Sequence, residues 1–287
     1  MYYTDGKLQY PVRVESPNPV FARMLQQAIG GIEGEIRVAL QYFFQAWGNR
    51  GPVKYRDMLL STTTEEIAHI EMLSTAVALN LEGAPPALQE EAVRQDPALA
   101  AFLGGMNMKN FLSAGLAAMP VDSDGVPFDC SHVYASGNIA GDMYANATAE
   151  ATGRTLATRL WEFTDDPGMK DMLSFLIARD TMHQQQWLAV IEELGGYEGV
   201  LPVPNSFPQD EENQEVNYTF IDTRIGDDVQ PLEGRFTSGP SLDGNSEFSH
   251  EFAAPFGEKP VLGPPAPEAF AQEQQIEGAP DAATPES

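Results

Sequence analysis

The sequence predicts an all-α core of four long helices followed by an extended, mostly irregular C-terminal tail. Apolar residues recur at helical spacing over four segments long enough to cross a bundle. Asn, Asp, Pro and Gly stand where helix starts and stops require them. Composition then changes sharply after residue 196.

The first helix is expected over residues 19–47, with Asn18 as N-cap, Pro19 just inside, and Gly48 and Gly51 closing it. Gly30, Gly31 and Gly34 fall within it. Each costs a helix about 1 kcal/mol against alanine, so they predict close approach by a neighbouring backbone or side chain. The second helix is expected over residues 54–81, stopping at Gly83-Ala84-Pro85-Pro86. Residues 85–137 break into shorter pieces, with a helical stretch near 97–116 and a turn-rich run at 120–127. A third helix follows over residues 139–163. Asp165-Asp166-Pro167-Gly168 ends it and opens a fourth that runs to Leu194, before Gly195 and Gly196. Two helices, a long crossover and two more helices form the connectivity of a ferritin-like four-helix bundle, which draws metal ligands from facing helices into its core.

Two parts are therefore expected, a bundle over residues 1–196 and an acidic extension over 197–287. The extension holds 12 of the 22 prolines and 18 acidic against 3 basic residues, a net charge of −15 out of −26. Such composition predicts irregular chain. Phe207, Tyr218, Phe220, Phe236, Phe248, Phe252 and Phe256 are nevertheless too many aromatics for a freely solvated tail. Its first part is expected to lie on a surface, such as a neighbouring subunit's, and its last part to be disordered.

The charge of −26 argues against nucleic acid and anionic membrane as partners. No run of eighteen apolar residues predicts a membrane span, and MYYTDGKLQY is not a standard secretion signal. The single cysteine, Cys130, excludes an intramolecular disulfide and suits a reducing, cytoplasmic compartment.

Glu66 and His69 lie three apart in the second helix, on one face, where both reach a single ion. His183 sits among Leu173, Leu176 and Trp187, either as a metal ligand or as a buried histidine bonded to a carboxylate. Glu35, flanked at helical spacing by Ile32, Val38 and Tyr42, and Glu150, beside Asn146 and Ala147, are the inward acids of the other two helices. Singly, each of these is an ordinary charge. Jointly, an acid on each of four helices, two of them (Glu66 and Asp180) followed by histidine three residues on, is the dimetal carboxylate pattern. Isolated buried carboxylates are too costly to stay ionised. His132 and His250 fall in turn-rich sequence and are expected to be ordinary loop or tail histidines. Met106, Met108 and Met119 are expected to fill core, and Cys130 to be an inert or partly buried thiol.

Five segments carry a resemblance: Gly30-Gly31-Ile32-Glu33-Gly34-Glu35, Tyr42-Phe43-Phe44-Gln45, Thr64-Glu65-Glu66-Ile67-Ala68-His69-Ile70-Glu71, Asn146-Ala147-Thr148-Ala149-Glu150 and Arg179-Asp180-Thr181-Met182-His183-Gln184. Together they resemble the manganese catalase family, over nearly the whole chain to about Pro208. The extension is similar more loosely, through Phe207-Pro208 and Ser241-Leu242-Asp243-Gly244. The resemblance implies disproportionation of hydrogen peroxide at a carboxylate-bridged pair of manganese ions in each subunit of a homohexamer. It makes Glu66 the bridging carboxylate, assigns Glu35 and His69 to one ion, and assigns Glu150 and His183 to the other. Asp180 stands beside the bridging solvent where the family often has glutamate, one methylene longer, which favours a catalase over a symmetrical di-iron site. Tyr42 is implied to hydrogen-bond near the site; simple core packing is the alternative. The ligand set alone leaves a di-iron ferritin-like oxidase or iron-storage protein as the rival, since iron binds such donors at least as well. Some relatives hold a structural calcium. Asp57 matches there, but Ser61 stands where an acid is expected, and no calcium is assigned.

Overall fold

Asn18 starts α1 (Pro19–Gly30) by accepting the Val20 and Phe21 amides on Oδ1 at 3.0 and 3.1 Å, with Pro19 at the first helical position. The structure, a computed structural model, describes residues 6–83, 105–224, 226, 228–254 and 257–263. The helix stops at Gly31, whose backbone is extended, and α2 (Glu35–Gly48) begins after Gly34. The single helix expected over residues 19–47 is thus two. The three glycines do mark close approach, and their packing breaks the helix. A Cβ on Gly30 would stand 2.5 Å from the Val121 amide and carbonyl of the crossover, and one on Gly34 2.7 Å from the Ile29 carbonyl.

α3 (Val53–Leu81) runs back along α2 after a short turn, and Gly83 beyond it takes the left-handed conformation (φ 73°). Of the helical stretch expected near residues 97–116, the described part shows α4 (Met108–Leu112); residues 97–104 lie outside the described residues. Asn138 caps α5 (Ile139–Glu162), and Asp166 caps α6 (Pro167–Glu193), accepting the Gly168 and Met169 amides at 3.0 Å each. α5 packs along α6, and α1 along α3. A single turn, α7 (Gly196–Val200), follows, with Val200 fully buried.

Two apolar clusters hold the bundle. One joins Phe21, Leu25 and Ile29 of α1 with Met72 and Leu73 of α3 and Met172, Leu173 and Leu176 of α6. The other joins Val38 and Tyr42 of α2 with Leu59 of α3, Met143 of α5 and Trp187 and Ile191 of α6. Along α3 and α6 the turns carrying Glu66, His69, Asp180 and His183 fall between the two, so apolar packing closes the polar interior from both ends. Met106 is buried and Met108 packs against the first cluster, as core fillers. Cys130 is exposed, not partly buried, because its 3₁₀ turn (Cys130–His132) lies at the surface. No helix among the described residues is long and apolar enough to cross a membrane.

The chain divides into two compact units, Met1–Tyr218 with Gly239–Glu247, and Thr219–Ser238 with Phe248–Ser287. Short strands appear in the extension: β1 (Thr219–Asp222), β2 (Gly239–Pro240) and β3 (Glu247–Phe252). In the second unit β1 runs parallel to β3, with Phe220 opposite His250. His250 therefore belongs to a strand and not to a loop. Its Nε2 lies 3.1 Å from Asp222 Oδ2, which also holds Arg224 at 2.5 Å, and Phe220 packs on Phe236 with ring centroids 5.1 Å apart. Phe256 and the residues from 264 lie outside the described residues.

Gly30→Ala should lower stability by about 1 to 3 kcal/mol, because the added methyl must push the Val121 backbone away. Urea denaturation checks this; a loss under about 0.5 kcal/mol would mean that the contact yields freely.

Candidate metal centre

Glu66 and His69 are one turn apart on α3, and both are fully buried. The two oxygens of Glu66 face two different imidazoles. Oε2 lies 2.8 Å from His69 Nδ1, and Oε1 lies 2.8 Å from His183 Nδ1 on α6. Glu35, in the first turn of α2, brings Oε2 to 3.8 Å from His69 Nδ1, and Glu150 of α5 brings Oε1 to 3.7 Å from His183 Nδ1. Two ligand groups result, Glu35–Glu66–His69 and Glu66–Glu150–His183, with the donor atoms of each within 4.8 Å of one another. All five residues read as ligands in the sequence come together, and Glu66 belongs to both groups.

Although Glu66 Oε1 and His183 Nδ1 are 2.8 Å apart, they are off the line of a hydrogen bond, and neither makes a hydrogen bond to any described residue. Buried polar atoms left in this way cost about 1 to 3 kcal/mol each. A carboxylate oxygen and an imidazole nitrogen that converge without a hydrogen bond fit a cation between them, which would displace the imidazole proton. Three carboxylates and two imidazoles suit a hard divalent ion such as manganese.

The outer nitrogens of both histidines turn toward one side chain that sequence reasoning overlooked. Glu65 Oε2 lies 3.1 Å from His183 Nε2, and Oε1 lies 3.7 Å from His69 Nε2. Arg179 donates to the same carboxylate at 2.5 and 3.2 Å, and Gln9 at 3.0 Å. A carboxylate on the far nitrogen fixes the tautomer and ring orientation of a histidine, and here Glu65 does so for His183 while standing close to, but not hydrogen-bonded to, the His69 ring. The i, i+4 spacing of Glu65 and His69 was the available signal.

Burial opposes ionisation of Glu65 and Glu66, but the histidines outweigh it. Glu65, bonded to His183, His69 and Arg179, sits far below the usual carboxylate range, and Glu66, between His69 and His183, at about 2. Burial likewise disfavours charged imidazole. The charge of Glu66 nonetheless lifts His69 well above its ordinary value, and Glu150, Glu65 and Glu66 push His183 up to about 12. Burial raises Glu35 to about 7 and also raises Glu150. Burial, with the negative charges of Glu35, Glu150 and Glu66 beside it, raises Asp180 well above the carboxylate range. It makes no hydrogen bond to a described residue. A Cβ on Gly153 would stand 3.8 Å from its Oδ2.

Tyr42 fills core and also bonds at the site. It is fully buried, its ring centroid is 4.8 Å from that of Trp187, and its hydroxyl donates to Glu150 Oε1. Trp187 Nε1 donates to the same oxygen at 3.3 Å. Asp57 is exposed and pairs with neighbouring Arg56 at 3.1 Å.

The sequence profile described as manganese containing catalase matches residues 1–285. The chain belongs to this family. It is 46% identical over 267 residues to the manganese catalase of Bacillus subtilis, covering 93% of this chain and 96% of that protein. The manganese catalase of Lactiplantibacillus plantarum is 37% identical over 235 residues, 82% of this chain and 87% of its own length. The crystal structure of KatB, a manganese catalase from Anabaena PCC7120, superposes with a TM-score of 0.67 at 22% identity, over 88% of this chain and 99% of that one, and shares the fold. Membership in the manganese catalases sets aside the di-iron rival and makes manganese the cofactor.

Glu65→Gln keeps the size of the side chain but sets an N–H donor against one of the two histidine N–H groups. Manganese affinity should fall about 10- to 100-fold, measured by metal-buffered titration. Unchanged affinity would remove Glu65 from the site's design.

Proposed function

We propose that this chain disproportionates hydrogen peroxide to water and dioxygen at two manganese ions, one held by Glu35 and His69, the other by Glu150 and His183, with Glu66 bridging them. The convergence of Glu66 Oε1 and His183 Nδ1, buried and without a hydrogen bond, carries the assignment, and family membership supplies the metal and the reaction. When bound, the manganese pair supplies a two-electron couple in which each ion changes by one electron, so one peroxide is reduced and the next oxidised. Glu66, with one oxygen facing His69 and the other His183, would hold both ions. Glu65 holds the His183 ring through Nε2, with Nδ1 turned inward, and its charge lies 3.7 Å from His69 Nε2. Tyr42 and Trp187 hold Glu150 through its Oε1. Asp180, buried among Glu35, Glu66 and Glu150, would take a proton from the peroxide being oxidised and return it to the peroxide whose O–O bond breaks.

The reading extends to assembly. Ile32, Phe43, Phe44, Trp47 and Ile67 are exposed on and beside α2 and α3, apolar surface that a chain of net charge −26 does not leave bare without reason. A closed homohexamer would cover it, with the acidic extension over 197–287 lying across neighbouring subunits and bringing Phe207, Phe236 and Phe252, also exposed, onto them. The cytoplasm is the compartment that fits a single, exposed thiol.

Purified protein should contain two manganese ions per chain and release oxygen from peroxide with no organic donor and no haem band. Glu66→Ala should abolish both metal retention and oxygen release. Asp180→Asn should keep both ions while kcat falls about 10²- to 10⁴-fold. Protein that holds iron alone and is fully active would defeat the assignment. Ending the chain at residue 218 should reduce the assembly seen by light scattering and expose apolar surface. An unchanged hexamer with an unchanged Tm would refute the role given to the extension.

A further inference from the structure

One turn from the metal centre, the bundle buries a second polar cluster that the chemistry above does not use. Gln41 and Gln45 of α2 and Asn146 of α5 are each 0% exposed. Gln41 Nε2 and Gln45 Nε2 both donate to Asn146 Oδ1 at 2.8 Å, and Asn146 Nδ2 returns a bond to Gln45 Oε1 at 2.7 Å. The crossover closes the cluster: Gln45 Nε2 donates to the Tyr134 carbonyl at 2.9 Å, and the Tyr134 amide donates to Gln41 Oε1 at 3.3 Å. Every amide oxygen and nitrogen in the cluster is bonded. Three neutral amides burying no charge offer no obvious gain over leucine in the same space, since apolar replacement of a fully paired polar set is close to neutral in stability. A fully satisfied buried network does, however, fix one register between two helices.

The register it fixes is the one the metal site needs. Asn146 precedes Glu150 by one helical turn on α5, and Tyr42 lies between Gln41 and Gln45 on α2. The same two helices therefore meet twice in succession, first through the amides and one turn on through the Tyr42 hydroxyl on Glu150 Oε1. We infer that Gln41, Gln45 and Asn146, clamped by the Tyr134 backbone, form a positioning ladder that sets α5 against α2 so that Glu150 is presented, with His183, to the second manganese ion. This inference rests on the ligand assignment proposed above. The amide side chains make no hydrogen bond to the proposed ligands, and they act only through the placement of Glu150 and its Tyr42 partner.

A matched control exists in the same chain. Asn110 is also a buried amide, donating to Gln26 Oε1 at 2.9 Å and to the Ala117 carbonyl at 2.8 Å, with no bond to a residue of the site. Full-length wild type, Asn146→Leu, Asn146→Asp and Asn110→Leu are loaded with manganese and compared by metal content, electron paramagnetic resonance and Tm. Two manganese ions per wild-type chain, with a coupled dinuclear signal, tests the ligand assignment by itself; its absence overturns that assignment and the ladder with it. Given that result, Asn146→Leu should retain one ion per chain or fewer and show a mononuclear signal. Asn110→Leu should keep two ions and the coupled signal, whatever its Tm. Asn146→Asp, which keeps the shared acceptor oxygen but loses the donor to Gln45, should retain more manganese than Asn146→Leu, and it stands in for that variant should the leucine fail to fold. Asn146→Leu with two ions and the wild-type signal would overturn the ladder, as would Asn110→Leu losing manganese to the same extent.

Discussion

Five carboxyl groups and two imidazoles share one stretch of helical interior, and taking that many ionisable groups out of water is the constraint to which the surrounding structure answers. An unpaired buried charge costs several kcal/mol, and pairing returns that cost only when geometry is good and the remaining lone pairs are met. Glu65 and Glu66 meet it by standing between the two histidines, with Arg179 added on the outer side. Glu150 meets it through Tyr42 and Trp187. Burial and the surrounding carboxylates raise Asp180, which disfavours its charged form. Glu66 Oε1 and His183 Nδ1, which face each other without a hydrogen bond, belong to residues proposed as metal ligands.

The break between α1 and α2 serves the same end. Glu35 is the first residue of α2, where the free amides and the dipole of a helix start favour an anion. An unbroken helix over residues 19–47 would put Glu35 deep inside a hydrogen-bonded run and remove that support. The glycines allow the break because Gly30 admits the Val121 backbone where a side chain would collide. Gln26, one turn earlier, binds the Met119 and Val121 carbonyls at 2.7 and 3.0 Å, which ties the crossover to α1 beside the break. The long crossover thus anchors α1 through Gln26 and α2 through the Tyr134 backbone.

Most of the bundle, and all five proposed ligands, are legible in the sequence for local reasons. Caps are short-range devices: Asn18, Asn138 and Asp166 bond to amides two and three residues ahead, so their effect is written in consecutive residues. Glu66 and His69 share a face because the helix repeat puts them there. The acidic, proline-rich extension is legible from composition alone. Family resemblance added the pairing of ligands into two groups, which spacing within single helices does not contain.

Tertiary structure decided what depends on distant residues meeting. Whether three glycines bend, weaken or break a helix turns on what packs against them, and Val121 is 91 residues from Gly30. Glu65, adjacent to the proposed ligand Glu66, gave no sign in the sequence of reaching His183, because that contact spans 118 residues and two helices. The amide ladder was invisible for the same reason: glutamine and asparagine are neutral and common, and only the packing of α2 on α5 converts Gln41, Gln45 and Asn146 into one closed set of hydrogen bonds. Local sequence determined which residues each helix turns inward. The crossing of the helices determined which of those residues became partners.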